Sequence, residues 1–224
     1  MKKNFIHVLL ICCLCVGSAT AAEAWQRSIN CIEGNGTLKS QQRSLNDYHK
    51  VAVQGAYTLH ITCGGDYKCT ISGDSNLLEH VVTVVEKGKL RIGNDSSLCM
   101  QQPLNITLQV PLLDSFYAEG AHDITISSIK GDLFDFEMDG SCVAQVDGAV
   151  SKLEIEIRGN SVLDAQQLTA GSVNVDAAGT SSAKIQVNGP LHVSAAGIAE
   201  ILYSGKPTEI TTNLSGLAEV DEVR

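Results

Sequence analysis

Apolar and polar residues alternate along most of the chain, and the alternation recurs around regularly spaced glycines. Six such glycines follow one another at steps of 18 to 20 residues: Gly120, Gly140, Gly159, Gly179, Gly197 and Gly216. Positions two and four residues before each glycine are almost all apolar, whereas the position three residues before it is polar in each unit. Alternation with a period of two is typical of a strand that has one buried face.

The fixed period predicts a fold in which successive turns of chain stack on one another. We therefore predict an all-β fold, a single-stranded β-helix or β-solenoid with about 19–20 residues per rung. The glycines are expected to form one structural column at a tight bend, and Gly55 joins them because residues 51–61 alternate in the same phase. A β-sandwich of regularly spaced hairpins is the alternative. It is disfavoured because a sandwich does not require the same column chemistry six times.

The first 24 residues have the pattern of a cleavable secretory signal peptide. A basic start precedes an apolar run at residues 5–16, and small residues follow it. Cleavage is expected after Ala21 or Ala24, which leaves one domain at residues 25–224. No later stretch is long and apolar enough to span a membrane, so we expect no membrane span in the mature chain.

The net charge and the composition limit the classes of partner that the chain is expected to bind. The formal net charge is −9, which argues against nucleic acid and anionic membrane surfaces. Only 4% of the residues are aromatic, so a large aromatic platform for stacking sugars is not expected.

Five cysteines lie beyond the signal sequence, and an oxidising compartment would permit disulfides between them. Cys63 and Cys69 flank a five-residue loop that looks like a hairpin, so a Cys63–Cys69 disulfide is predicted first and Cys31–Cys99 second. Cys142 falls in an inward column of small residues and is expected to be a buried thiol.

Acidic side chains occur at outward positions of three successive units. We call this set the acidic stripe: Asp135, Glu137, Glu154, Glu156 and Asp176. Stacked carboxylates repel one another, and a hard cation such as calcium could relieve the repulsion. A solvated acidic face is the favoured alternative, because Lys152 and Arg158 are close enough in sequence to compensate the charge.

Candidate catalytic patterns are weak. Gly73-Asp74-Ser75-Asn76 resembles a hydrolase nucleophile block, but the usual basic partner near the C-terminus is missing. Lyase chemistry would need arginine beside carboxylates, and the sequence does not place Arg91 or Arg158 over the acids. We therefore expect no catalytic residue, no cofactor and no enzymatic activity.

Several short segments, in their order and spacing, carry a family resemblance. They are the glycine turn at 34–36, the alternating strand at 51–61, the turn and strand at 87–92, and the end of the glycine units at 203–207. Together they resemble the head GIN domain of auto-transporter adhesins, a bacterial family of unknown function. The resemblance implies an exported, right-handed β-helix-like domain and supplies no catalytic residues.

The leading hypothesis is a non-enzymatic, exported β-solenoid that acts as an adhesin-like binding or scaffold protein in the periplasm or outside the cell. A glycan or an envelope protein is the expected partner. A carbohydrate-active enzyme or polysaccharide-binding protein on a β-helix is one alternative. A structural envelope protein that self-associates as a homo-oligomer through its last rung is the other.

Overall fold

Strands occupy the segments in which the sequence alternates. The computed structural model describes residues 31–223, and the predicted signal peptide lies outside them. The strands are β1 (Ile32–Glu33), β2 (Leu38–Arg43), β3 (Lys50–Cys63), β4 (Lys68–Asp74), β5 (Val81–Glu86), β6 (Lys89–Asn94), β7 (Leu98–Cys99), β8 (Asn105–Val110), β9 (Ser115–Gly159), β10 (Val162–Val187), β11 (Pro190–Gly205), β12 (Glu209–Gly216) and β13 (Glu219–Glu222). A 3-10 turn at Leu78–His80 precedes β5, and the described residues contain no α-helix. The fold is all-β.

One large open sheet contains most of the strands. It has 11 strands, and its main path runs β12-β11-β10-β9-β3-β8-β4-β2. From β3 to β12 every neighbouring pair on this path is parallel. A second sheet pairs β1 with β7. The parallel part therefore comprises the predicted glycine units.

The glycines predicted to form a column are in register. Gly55 pairs with Gly120, and further on Gly179 lies between Gly159 and Gly197 in adjacent parallel strands. Gly216 extends the column beyond Gly197 in the same way. Within β9, a Cβ atom added to Gly140 would overlap the carbonyl oxygen of Gly120, and one added to Gly159 would overlap that of Gly140.

The core is built from the predicted inward columns. Four residues before the glycines stand buried Phe116, Phe136, Ile155, Val175 and Val193. The rings of Phe116 and Phe136 stack with centroids 5.6 Å apart, although they are 20 positions apart in sequence. The side chain of one unit thus packs directly on its equivalent in the next.

The N-terminal part departs from the regular stack. Its strands pair with the edge of β3 that faces away from β9. On that edge β6 pairs with residues 50–53, and β8 pairs with residues 58–63. Beyond β6 lies antiparallel β5, and beyond β8 lie antiparallel β4 and β2. β3 therefore carries two branches, one on each side of Gly55.

This branching corrects the first predicted disulfide. Cys63 and Cys69 are buried cysteines. They do not form a disulfide, because strands β3 and β4 are not neighbours. Cys63 pairs with Val110 and Cys69 with Leu108, so β8 lies between them. Two strand spacings of about 4.8 Å exceed the Cα separation that a disulfide can span.

The other cysteines are placed as follows. Cys31 and Cys99 form a disulfide with a Cα–Cα distance of 5.6 Å, at the paired strands β1 and β7. Cys142 is a free, buried cysteine, and burial raises the pKa of its thiol. The disulfide links the residue before β1 to strand β7.

Candidate functional site

The residues just before the glycine column share one outward surface, which we call the pre-glycine face. It is formed by segments 50–54, 115–119, 135–139, 154–158, 174–178, 192–196 and 211–215. In the first six segments every second side chain is buried in the core and the intervening ones point outward, as the predicted alternation requires, whereas all residues of 211–215 are exposed. Equivalent residues of adjacent strands lie about 4.8 Å apart, which makes the face a regular ladder of side chains.

A groove lies at the β3 end of this face. β6 continues the face beyond β3, and β5 continues it beyond β6. The groove encloses about 770 Å³ and is lined on one side by the exposed side chains of Val82 and Val84. We call it groove 1.

Three cations lie together in groove 1, and we call them the basic end: Lys50, Lys89 and Arg91. Lys50 is directly opposite Lys89, and Arg91 is directly opposite Ala52. Within residues 31–223, none of the three side chains makes a hydrogen bond or a salt bridge. By contrast, Arg43 donates to the carbonyl oxygens of Leu78 and Val81 at 2.8 Å.

Carboxylates line the part of groove 1 that β9 provides. They are Glu119, Asp135 and Glu137. The hydroxyl of Tyr117 donates to Glu119 Oε2 at 3.1 Å. Partial burial raises the pKa of Tyr117, with a further contribution from this hydrogen bond, so the phenol stays protonated and can donate.

Groove 1 revises one expectation from the sequence. The sequence did not place Arg91 over the acids, whereas in the structure Arg91 lines the same groove as Glu119, Asp135 and Glu137. The sequence could not show this, because Arg91 belongs to β6, which lies outside the glycine units. The sequence predicted a turn and a strand at 87–92; the missing information was that β6 pairs with β3.

A second groove continues along the same face. It encloses about 710 Å³ and shares Asp135 with groove 1. Its outward lining comes from β9 to β12: Asp135, Glu154, Glu156, Asn174, Asp176, His192, Ser194, Thr211 and Asn213. Because the two grooves adjoin at Asp135, they form one extended surface, which is mostly polar apart from exposed Leu133, Val82 and Val84.

The acidic stripe crosses both grooves and is partly neutralised by neighbouring cations. Lys152 forms a salt bridge with Glu154, and Arg158 forms one with Glu156. Asn174 Nδ2 also donates to Glu154 Oε2 at 3.1 Å. In the part of the chain that the structure describes, no group of three or more His, Cys, Asp or Glu side chains could hold a metal ion.

The hydrolase-like segment is occupied by structural contacts. Asp74 is fully buried and accepts hydrogen bonds from the backbone N–H groups of Gly36 at 2.8 Å and Gln101 at 3.0 Å. Ser75 Oγ accepts a hydrogen bond from Asn35 Nδ2 at 2.9 Å. These residues fasten the glycine turn at 34–36 to the body of the sheet.

No helix among residues 31–223 has the length and apolar character to cross a membrane.

Comparison with known proteins identifies a family match. The model of the family described as "Putative auto-transporter adhesin, head GIN domain" matches residues 47–207. No curated protein matches the chain significantly.

Three solved structures have a similar fold. A "putative adhesin" from Bacteroides fragilis has a TM-score of 0.70 at 16% identity, over 86% of this chain and 100% of its own. A "putative adhesin" from Parabacteroides merdae has a TM-score of 0.57 at 18% identity, over 86% and 99%. A "putative lipid binding protein" from Parabacteroides distasonis has a TM-score of 0.50 at 17% identity, over 86% and 99%. At these identities the likeness is one of fold.

Proposed function

The chain belongs to the head GIN domain family of auto-transporter adhesins, and from this premise we propose that it is an exported, non-enzymatic β-solenoid that binds an extended ligand along the pre-glycine face. The observation that carries this proposal is the pair of adjoining grooves on one ladder of parallel strands. Solenoids commonly use such a regular wall for binding.

The solenoid is supported by the register of the parallel strands. Residues of β10 pair with residues of β9 and of β11 that lie 18 to 20 positions away in sequence. Each step of the glycine column therefore corresponds to one rung. Right-handed coiling follows the family resemblance and the general preference of parallel strand connections.

Export is supported by the signal-peptide character of residues 1–24 and by the Cys31–Cys99 disulfide. Residues 1–24 have signal-peptide character, and their removal leaves residues 25–224 as one domain. The Cys31–Cys99 disulfide suits the periplasm or the cell exterior, where such bonds persist. A glycan or an envelope protein is the partner class we propose.

Blocking the groove tests the binding role. Ala52 lies on the pre-glycine face between Arg91 and Tyr117, so Ala52→Trp should fill groove 1 without changing its charge. Ser151→Trp is the matched control, because Ser151 is exposed and lines neither groove. A glycan array and an envelope extract are probed with residues 25–224. We expect Ala52→Trp to abolish the binding that Ser151→Trp retains; equal binding by both variants would refute the role of the groove.

A second function is tested on the same array, because Arg91 and the carboxylates of Glu119, Asp135 and Glu137 line one groove. A carbohydrate-active enzyme would need such groups to act together on one sugar. Incubation with each glycan that binds, followed by an assay for new reducing ends, separates the two functions. Binding without cleavage is the expected result.

Self-association through the last rung is the remaining alternative. All residues of β12 are exposed, including Ile210 and Leu214. Size-exclusion chromatography over a range of concentrations tests it, and a monomer at every concentration would count against it.

A further inference from the structure

The basic end of groove 1 places three positive charges at neighbouring positions of β3 and β6. Lys50 and Lys89 occupy directly opposed positions on β3 and β6, and like charges so placed destabilise a sheet. Arg91 lies two positions further along β6 and faces the same groove. Glu86 is opposite Lys89 on β5 and can offset only one of the three positive charges. An anion bound at the basic end would relieve the remaining repulsion.

Charge then changes sign along the groove. Asp135 and Glu137 belong to the second rung beyond β3, at the positions that Lys50 and Ala52 occupy on β3 itself. Two strand spacings place these acids about 10 Å from the β3 positions. Ionised carboxylates only accept hydrogen bonds, so they suit hydroxyl donors and repel further anions. The protein as a whole carries a net charge of −9, which adds to that repulsion.

We propose that the groove binds a glycan with one anionic sugar at its end, whose carboxylate or sulfate contacts Lys50, Lys89 and Arg91 while neutral, hydroxyl-rich sugars run along Tyr117, Glu119 and Glu137. This inference rests on the proposed binding function and specifies its ligand. The forked guanidinium of Arg91 suits bidentate contact with such an anion. Beside the bound anion, Tyr117 offers its aromatic ring and its hydroxyl to the neutral sugars.

The strand backbone argues for a glycan over a peptide. Groove 1 lies on the face of the sheet, where the backbone groups of β3 are already paired with β6 on one side and β9 on the other. An extended peptide therefore cannot add as a further strand there. The ligand must be recognised by side chains. Apart from Val82 and Val84 on one side, the outward side chains present are mostly polar, with cations, carboxylates and a phenol among them.

The test uses a glycan array made of matched sets: a neutral oligosaccharide, the same oligosaccharide with one terminal uronate or sulfate, and a fully anionic version. Residues 25–224 are compared with Arg91→Met and Lys89→Met, which keep the apolar stems, and with Lys130→Met as control, because Lys130 is exposed and outside both grooves. We expect the singly anionic member to bind best. Arg91→Met and Lys89→Met should each weaken it at least tenfold, and Lys130→Met should leave it unchanged.

A charge-neutralising variant tests whether the carboxylates on the β9 side of the groove exclude further anions. Glu137→Gln removes one repulsive charge and should raise the binding of fully anionic members relative to singly anionic ones. The two sources of the anion, carboxylate and sulfate, are separated by the two kinds of matched set.

The outcomes separate this inference from the proposed function. If neutral and singly anionic members bind equally, and Ala52→Trp abolishes that binding, the inference is overturned but the binding role of the groove stands. Preference for the fully anionic member in the unsubstituted protein, or for an acidic peptide spotted on the same array, would also overturn it. Absence of all glycan binding refutes the inference, and the envelope extract then decides the proposed function by itself.

Discussion

Replacing Gly179 by alanine should destabilise the protein far more than the same change at Gly64. Both glycines have φ of +98°, so the backbone strain of an alanine is the same at the two positions. Their surroundings differ. A Cβ atom at Gly64 would have no atom within 4 Å, whereas one at Gly179 would overlap the carbonyl oxygen of Gly159 and lie 3.1 Å from its nitrogen.

The expected loss of stability follows from the backbone strain and from the steric overlap of the added Cβ atom. A left-handed backbone costs a non-glycine residue about 1–2 kcal/mol, which is the whole expected effect of Gly64→Ala. At Gly179 the overlapping atom belongs to the backbone of Gly159 in the neighbouring strand β9, so relief requires the strands to move apart. Overpacking of this kind adds about 1–3 kcal/mol. The difference between the two variants should therefore be about 2 kcal/mol, or roughly 4–8 °C in Tm for a domain of this size.

Urea unfolding followed by far-ultraviolet circular dichroism measures both variants against the unsubstituted protein. We expect equal slopes and a lower midpoint for Gly179→Ala than for Gly64→Ala. Equal midpoints would refute the reasoning, because they would mean that the column of glycines is not in close contact from rung to rung.

Three further predictions concern individual sites. Asp74→Ala should lower the free energy of unfolding by about 2–4 kcal/mol, measured by urea unfolding, because it leaves two backbone donors without their charged acceptor. An unaffected midpoint would show that the turn at 34–36 is held by other contacts. Burial lowers the pKa of His122 below its ordinary value near 6.5, so the unfolded state binds more protons as the pH falls through that range. Stability should therefore decline below about pH 6.5, and His122→Gln should lessen the decline; an identical pH profile in both proteins would contradict this. Millimolar calcium should leave Tm unchanged in a thermal scan, because neighbouring cations already pair with part of the acidic stripe; a clear rise in Tm would restore the calcium hypothesis.

Much of the parallel stack could be predicted from the sequence, because each unit repeats the same local chemistry. The inward columns that contain Phe116, Phe136 and Ile155 are buried, and the glycines are in register. The period was enough to predict which residues become neighbours, since equivalent residues of successive units pair in adjacent parallel strands. Such local regularity is the kind of information that a sequence pattern carries.

The N-terminal branches could not be predicted in the same way. Their strands pair by long-range contacts that no period records, so the segment between Cys63 and Cys69 looked like a hairpin although β8 separates the two strands. The basic end could not be predicted for the same reason. Lys89 and Arg91 belong to β6, whose place beside β3 is set by tertiary packing rather than by the repeat.

Spin-label distances along the glycine column test the stacked rungs most directly. Labels are placed in residues 25–224 at Glu119→Cys with either Ala196→Cys or Ser215→Cys, each one residue before a column glycine; Cys63, Cys69 and Cys142 are buried. Four rung steps separate the first pair and five the second, so pulsed electron resonance should give narrow distributions near about 19 Å and about 24 Å. Distances that fail to increase by about one strand spacing, or that centre far above these values, would contradict the stack on which the grooves depend.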